Sequence, residues 1–313
     1  MSSLFIEKYR PKTREEIVGN KNEIDRLFSI VKTGNIPHCI FEGVPGTGKT
    51  TSALVIARQL FGEYYKSNWR EFNASDERGI DIIRDDVKTF CTMSPLVSSF
   101  KILFLDEADG LTGPAQEALR RMMEKYGGIT RFILSCNDIS KIIEPLQSRC
   151  EIFHFSPLSV DDIFLRLKQV SSIENISIDE ESLKILAERA EGDLRKGLNK
   201  IQVLASFGIH IDKTVVMKQD KTEESYDTVL GSLKTGRFLE TRKACLDMIL
   251  NGYTERDIIQ GLHKSFINDK DLLPVVKGKC ILQLAKADYK LTMGVSRGLQ
   301  LDACLLKILE EMK

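Results

Sequence analysis

Over the first half of the chain, short apolar runs rich in β-branched and aromatic residues alternate with stretches of helical period. The runs at 38–42, 69–73, 101–106, 131–136 and 151–155 have the length and composition of strands. The stretches between them, 21–32, 49–61, 80–91 and 114–126, have the spacing of helices; in the third, Ile80, Ile83, Val87, Phe90 and Cys91 recur on one face. Strands that are apolar almost throughout, separated by helices, predict a parallel sheet covered on both faces. The expectation is a five-stranded α/β domain over residues 1–158.

Past residue 159 the strand pattern fades. Segments 160–170, 180–191 and 193–205 are amphipathic and read as a small three-helix bundle, while 213–224 is polar and charge-rich and reads as a linker. From 226 to 313 only helical periodicity remains, closing on a stretch with apolar residues on most turns. The predicted organisation is 1–158 α/β, 159–224 helical and 225–313 helical, with no internal repeat.

Composition narrows the class. A chain of 313 residues with 42% hydrophobic and 29% charged side chains has enough apolar material for real cores, which excludes a disordered chain. Forty-five Lys and Arg balance forty-five Asp and Glu, so a polycation that coats nucleic acid is excluded, though a local basic patch is not. No apolar run reaches the ~18–20 residues of a membrane span. Glu7, Lys8 and Arg10 arrive too early for a secretory signal. The seven cysteines are scattered without a Cys-x-x-Cys pair, against both a disulfide framework and a zinc site. The expected location is the cytoplasm of a prokaryote, or the nucleus if the source is eukaryotic.

The chemistry concentrates in three places. Gly43-Val44-Pro45-Gly46-Thr47-Gly48-Lys49-Thr50 fits G-x-x-x-x-G-K-[ST], follows a predicted strand and opens a predicted helix, the context that defines a P-loop. Its backbone N–H groups and helix N-terminus suit phosphate, with Thr51 continuing the cradle. Lys49 would reach the β- and γ-phosphates of ATP, and Thr50 would ligate Mg²⁺. The strand at 101–105 ends in Asp106-Glu107-Ala108-Asp109, where Asp106 would hold Mg²⁺ through water and Glu107 would orient or deprotonate the attacking water. Asn137 ends the fourth strand, either to bond that water or the γ-phosphate or simply to turn the chain.

In this order, and followed by a helical bundle, these motifs resemble the AAA+ ATPases. Four further stretches narrow the resemblance: Phe5-Ile6-Glu7-Lys8-Tyr9-Arg10-Pro11-Lys12, Asn73-Ala74-Ser75-Asp76-Glu77-Arg78-Gly79, Glu144-Pro145-Leu146-Gln147-Ser148-Arg149-Cys150 and Gly192-Asp193-Leu194-Arg195-Lys196-Gly197-Leu198-Asn199. Together they are similar to the clamp-loader small subunits of replication factor C, with an archaeal cast in 132–137. The resemblance covers the first ~200 residues densely and the rest only by length and helicity.

The resemblance implies a subunit of a five-membered open spiral, usually four small subunits and one large. ATP binding lets that spiral open the ring-shaped sliding clamp (PCNA) and grip primer–template DNA; hydrolysis releases them, and the activity belongs to the assembly. It implies that Tyr9, Arg10, Pro11, Ile17 and Val18 line the adenine pocket, that Arg195 is the second sensor, and that Arg149 reaches ATP held by the neighbouring subunit. It makes the last helices a collar, and Arg84, Lys88 and Arg78 contacts for template phosphates. Plainer readings stand beside these. Tyr9 and Ile17 would pack a core, Arg84 and Lys88 would pair with Asp81 and Asp85, and Arg149 would pair with Glu144 or Glu151. Gln116, Arg120 and Arg121 would relay between the acidic site and DNA or be merely solvated, and Met93, Pro95 and Leu96 form an apolar candidate for the clamp. An ATP-binding scaffold and another AAA+ machine, such as a branch-migration helicase or an origin-binding protein, are the rival functions. The intact Glu107 argues against the first, and the absence of a strand-bearing winged-helix tail argues against the second.

Overall fold

The computed structural model describes residues 4–74, 86–219, 221–250, 253–294 and 296–312. It divides into two compact units, Met1–Val216 and Met217–Lys313.

The first unit is built on β1 (Cys39–Gly43), β2 (Trp69–Asn73), β3 (Lys101–Asp106), β4 (Thr130–Cys136) and β5 (Glu151–Phe155). All neighbours pair in parallel, in the order β2-β3-β4-β1-β5. Burial explains that order: β3 is buried from Lys101 to Leu105, whereas β2 and β5, at the edges, keep exposed positions between covered ones. Side-chain alternation sends Phe41, Phe104, Ile133 and Phe153 to one face, where helices Lys21–Val31 and Lys49–Phe61 cover them. Ile40, Leu103, Leu105 and Leu134 face the other side and pack under helix Gly113–Tyr126. Two buried layers flank one sheet.

The same unit holds three further helices, Val160–Ile173, Glu180–Arg189 and Leu194–Ala205. Each opens on a polar cap whose side chain accepts a backbone N–H: Ser159 from Asp162, Asp179 from Ser182, Asp193 from Arg195 and Lys196. Their apolar stripes meet in a core of Ile163, Leu167, Leu186, Ile201 and Leu204.

One expectation needs correction. The segment 213–224, read as a linker, is helical in Lys213–Gln219 and again from Lys221. Polar composition misled because the first helix is held by contacts that leave little pattern: Val216 is fully buried in the core just named, Val215 packs against it, Asp212 accepts the Val215 N–H, and Lys213 pairs with Glu181. Of the helix expected over 80–91, the structure describes the end, Lys88–Thr92; Arg78 and Arg84 lie outside the described residues.

The second unit is helical: Lys221–Lys234, Phe238–Leu250, Glu255–Asn268, Pro274–Thr292 and Arg297–Glu311. Its core gathers Leu233, Cys245, Leu262, Phe266, Cys280, Cys304, Leu305 and Ile308. Six of the seven free cysteines are buried, and Cys150 is half-buried. Among the described residues no helix is long and apolar enough to cross a membrane.

Candidate active site

The P-loop leaves the C-terminal end of β1 and enters helix Lys49–Phe61, at the end of the sheet where open α/β folds bind ligands. Two glycines make the loop possible. At Gly43 (φ +153°) a Cβ would collide with the Phe155 carbonyl oxygen, and at Gly46 (φ +76°) it would collide with the Asp193 carboxylate. The second approach brings the cap of helix Leu194–Ala205 directly against the loop.

Lys49 is 7% exposed, and burial pushes its pKa down. Its ammonium donates to the carbonyl oxygens of Gly43 (2.5 Å) and Val44 (3.0 Å) and to Asn137 Oδ1 (3.2 Å). With the amide oxygen of Asn137 turned to Lys49, the amide NH₂ is left to donate elsewhere. Thr50 Oγ1 donates to Asp106 Oδ2 at 3.0 Å, and the Glu107 N–H donates to Asp106 Oδ1 at 3.1 Å. Glu107 has left-handed backbone (φ +52°), a conformation costly for a non-glycine residue, and its exposed carboxylate borders the cavity.

One cavity brings most of the predicted groups together. Pro45, Gly46, Thr47, Gly48, Lys49, Thr50 and Thr51 form its floor, Asp106, Glu107 and Asn137 one wall, and Arg195 enters from the three-helix side. Tyr9, Arg10, Pro11, Ile17 and Val18 close the far end. Gly43 and Val44 do not line it; their carbonyls face Lys49 instead. Sequence reasoning missed Ile6, Ser135, Leu158, Leu194 and Leu198 in the lining. The last two were legible as an i, i+4 apolar pair flanking Arg195.

Other predicted residues stand elsewhere. Arg149 precedes β5, whose Glu151 pairs with Cys39 at the start of β1, whereas the P-loop leaves β1 at Gly43. Four residues of strand at ~3.3 Å each put about 13 Å of sheet between them. Arg149 donates to Glu124 Oε1 (2.6 Å) and to the Pro145 carbonyl (2.7 Å). Its partner within the chain is therefore Glu124, not Glu144 or Glu151; Glu151 is taken by Arg26. Gln116 is not solvated. It is 3% exposed, donates to the carbonyls of Leu111 and Lys141 and accepts the Ile143 N–H, stitching its helix to the chain after β4. Arg120 pairs with Glu117 and Glu124. Lys88 is exposed at the start of its helix.

A five-stranded parallel sheet with this P-loop, acidic strand end and strand-terminal Asn defines an ATP-binding AAA+ ATPase core, and the model of the ATPase family associated with various cellular activities matches residues 39–158. The model of the replication factor C C-terminal domain matches residues 222–307. Replication factor C small subunits of Methanoculleus marisnigri (41% identical; 97% of this chain, 96% of the relative), Archaeoglobus fulgidus (43%; 96% of each) and Picrophilus torridus (40%; 98% of each) are similar over almost their whole length. The chain belongs to the replication factor C small-subunit family. It is accordingly an ATP-hydrolysing subunit of the sliding-clamp loader, active within that complex. Among solved structures, the Thermotoga maritima RuvB Holliday junction branch migration motor superposes with a TM-score of 0.58 at 19% identity, covering 72% of this chain and 79% of that one, a likeness of fold alone.

Proposed function

We propose that this chain is one of four small subunits which, with one large subunit, form an open five-membered spiral that opens the PCNA ring, grips primer–template DNA and releases both on ATP hydrolysis. The observation that carries the reading is the placement of Arg149. The phosphate site has its own lysine, carboxylates and amide, while Arg149 stands at the opposite end of the sheet. That suits a head-to-tail interface in which each subunit lends its arginine to the next, an arrangement that gives a ring or, when it does not close, a spiral.

Within one subunit, Lys49 would leave its three oxygens for the β- and γ-phosphates, and the Asn137 NH₂ would donate to the γ-phosphate or the attacking water. Glu107 would take the proton of that water, and Arg195 would bring positive charge from the helical lid. Thr50 and Asp106 offer hard oxygen donors 3.0 Å apart, a donor set that fits Mg²⁺. When bound, the ion neutralises charge building on the phosphates. Tyr9, Arg10, Pro11, Ile17 and Val18 would hold adenine. We assign lid and collar roles to 159–224 and 225–313, template-phosphate contacts to Lys88, Arg84 and Arg78, and a cytoplasmic location in a prokaryote or a nuclear one in a eukaryote.

Mixing two inactive variants tests the arginine. Lys49→Ala subunits offer Arg149 but cannot use ATP; Arg149→Ala subunits hold ATP but offer no arginine, a loss expected to cost ~10³-fold or more in rate. Co-assembly should recover part of the DNA-stimulated ATPase. No recovery in mixtures shown to co-assemble would place Arg149 outside the neighbour's site.

A further inference from the structure

The wall that closes the far end of the cavity hangs on the lid helices. Phe5 is 8% exposed within the core of Ile163, Leu167 and Ile201, and its N–H donates to Gln202 Oε1 at 2.8 Å. Arg166, also 8% exposed, donates from Nη2 to the Tyr9 carbonyl at 2.7 Å and from Nη1 to Gln169 Oε1 at 2.6 Å. The Tyr9 hydroxyl and the Lys8 ammonium both donate to Glu174 Oε1 at 2.6 Å.

A nucleotide in this cavity therefore spans two mountings. Its phosphates lie on a loop fixed to the sheet, and its base meets a segment fixed to Arg166, Glu174 and Gln202. Burying the Arg166 guanidinium against a main-chain carbonyl and a neutral amide is a costly way to pack, since an apolar side chain of similar volume is often as stable or more so. What the arginine does provide is direction: it holds one carbonyl, that of Tyr9, in the segment that lines the cavity.

We infer that Arg166 and Glu174 are positioning residues for recognition of the nucleotide base, holding the Tyr9 segment in register with the P-loop so that affinity for the base, but not for the phosphates, depends on these two side chains. The inference rests on Tyr9, Arg10, Pro11, Ile17 and Val18 forming the base pocket. That pocket is then complete only while the lid grips the N-terminal segment.

The test uses loaders assembled with the large subunit and compares ADP with inorganic pyrophosphate as ligands. Loss of one such hydrogen bond, about 1–1.5 kcal/mol, corresponds to roughly a 10-fold change in affinity. Arg166→Met and Glu174→Ala should each raise the Kd for ADP by about that factor while leaving that for pyrophosphate unchanged. KM for ATP should rise in parallel, with kcat altered less than about twofold. Glu174→Gln, which still accepts the Tyr9 hydroxyl, should regain most of the affinity. Equal losses for ADP and pyrophosphate would reveal a general failure of the lid and overturn the inference. Ile17→Ala, on the sheet side of the pocket, separates the two ideas. If it weakens ADP and the latch variants do not, the latch is wrong; if it also leaves ADP unchanged, the base pocket itself is wrong.

Discussion

Lys49 and Asn137 occupy each other in this structure, and that pairing says how the two are used. A buried ammonium must find oxygen partners or lose its proton; here it finds two carbonyls and one amide oxygen. Phosphate offers stronger, charged acceptors, so nucleotide is expected to draw Lys49 away and free Asn137. Glu107, by contrast, is proposed to act on water and not to hold phosphate. Glu107→Gln should keep ATP affinity while turnover falls at least ~10²-fold, whereas Lys49→Ala should weaken binding itself; equal losses of affinity in equilibrium titrations would refute that division of roles. His38 ties stability to pH. Its Nδ1 accepts the Phe132 N–H, and burial, helped by nearby Arg131, holds its pKa down at about 4. The folded chain thus keeps this ring neutral where the unfolded chain, titrating near 6.5, takes up a proton. Stability from this group is complete above pH ~6.5 and is lost as pH falls towards 4, by roughly 1–2 kcal/mol after allowance for partial exposure. Thermal melts at pH 7 and 5 should show a smaller drop for His38→Gln than for the unmodified chain.

Among the elements, helix Leu194–Ala205 is the one whose start does two jobs. Asp193 accepts the N–H groups of Arg195 (2.9 Å) and Lys196 (3.3 Å) and closes over Gly46 of the P-loop. Asp193→Ala should cost about 1 kcal/mol by chemical denaturation, and Asp193→Asn only a few tenths, because Asn caps nearly as well. A loss no larger for Ala than for Asn would mean the cap is not what holds this helix. Element by element, β2, β3, β5 and helix Lys49–Phe61 stand where their apolar runs begin and end, since strand length and P-loop context are local properties. The helix Lys213–Gln219 escaped because, among its described side chains, only Val216 is deeply buried, which leaves almost no periodic trace in a polar stretch.

For the whole molecule, the balance of 45 basic and 45 acidic side chains leaves DNA affinity to particular side chains. If the exposed Lys88 neutralises a template phosphate, Lys88→Ala in the assembled loader should weaken every primer–template sequence alike. The slope of log K against log salt should flatten by about one for each phosphate no longer neutralised. An unchanged salt slope, measured by titration at several ionic strengths, would return Lys88 to the solvated surface.

What the sequence determined by itself is what depends on neighbours along the chain. The P-loop, the Asp106-Glu107 pair at a strand end, the alternation of strands and helices and the resemblance carried by 5–12, 144–150 and 192–199 all need only local order and spacing. What the tertiary structure decided is which distant groups meet. Parallel pairing of β1 with β5 sets Arg149 at the end of the sheet away from the P-loop, beside Glu124, a partner 25 residues back that no spacing rule singles out. Packing of Phe5 into the three-helix core hangs one wall of the cavity on Arg166 and Glu174, more than 150 residues downstream. Meetings of that range are fixed by the core packing as a whole, and no window of sequence contains them.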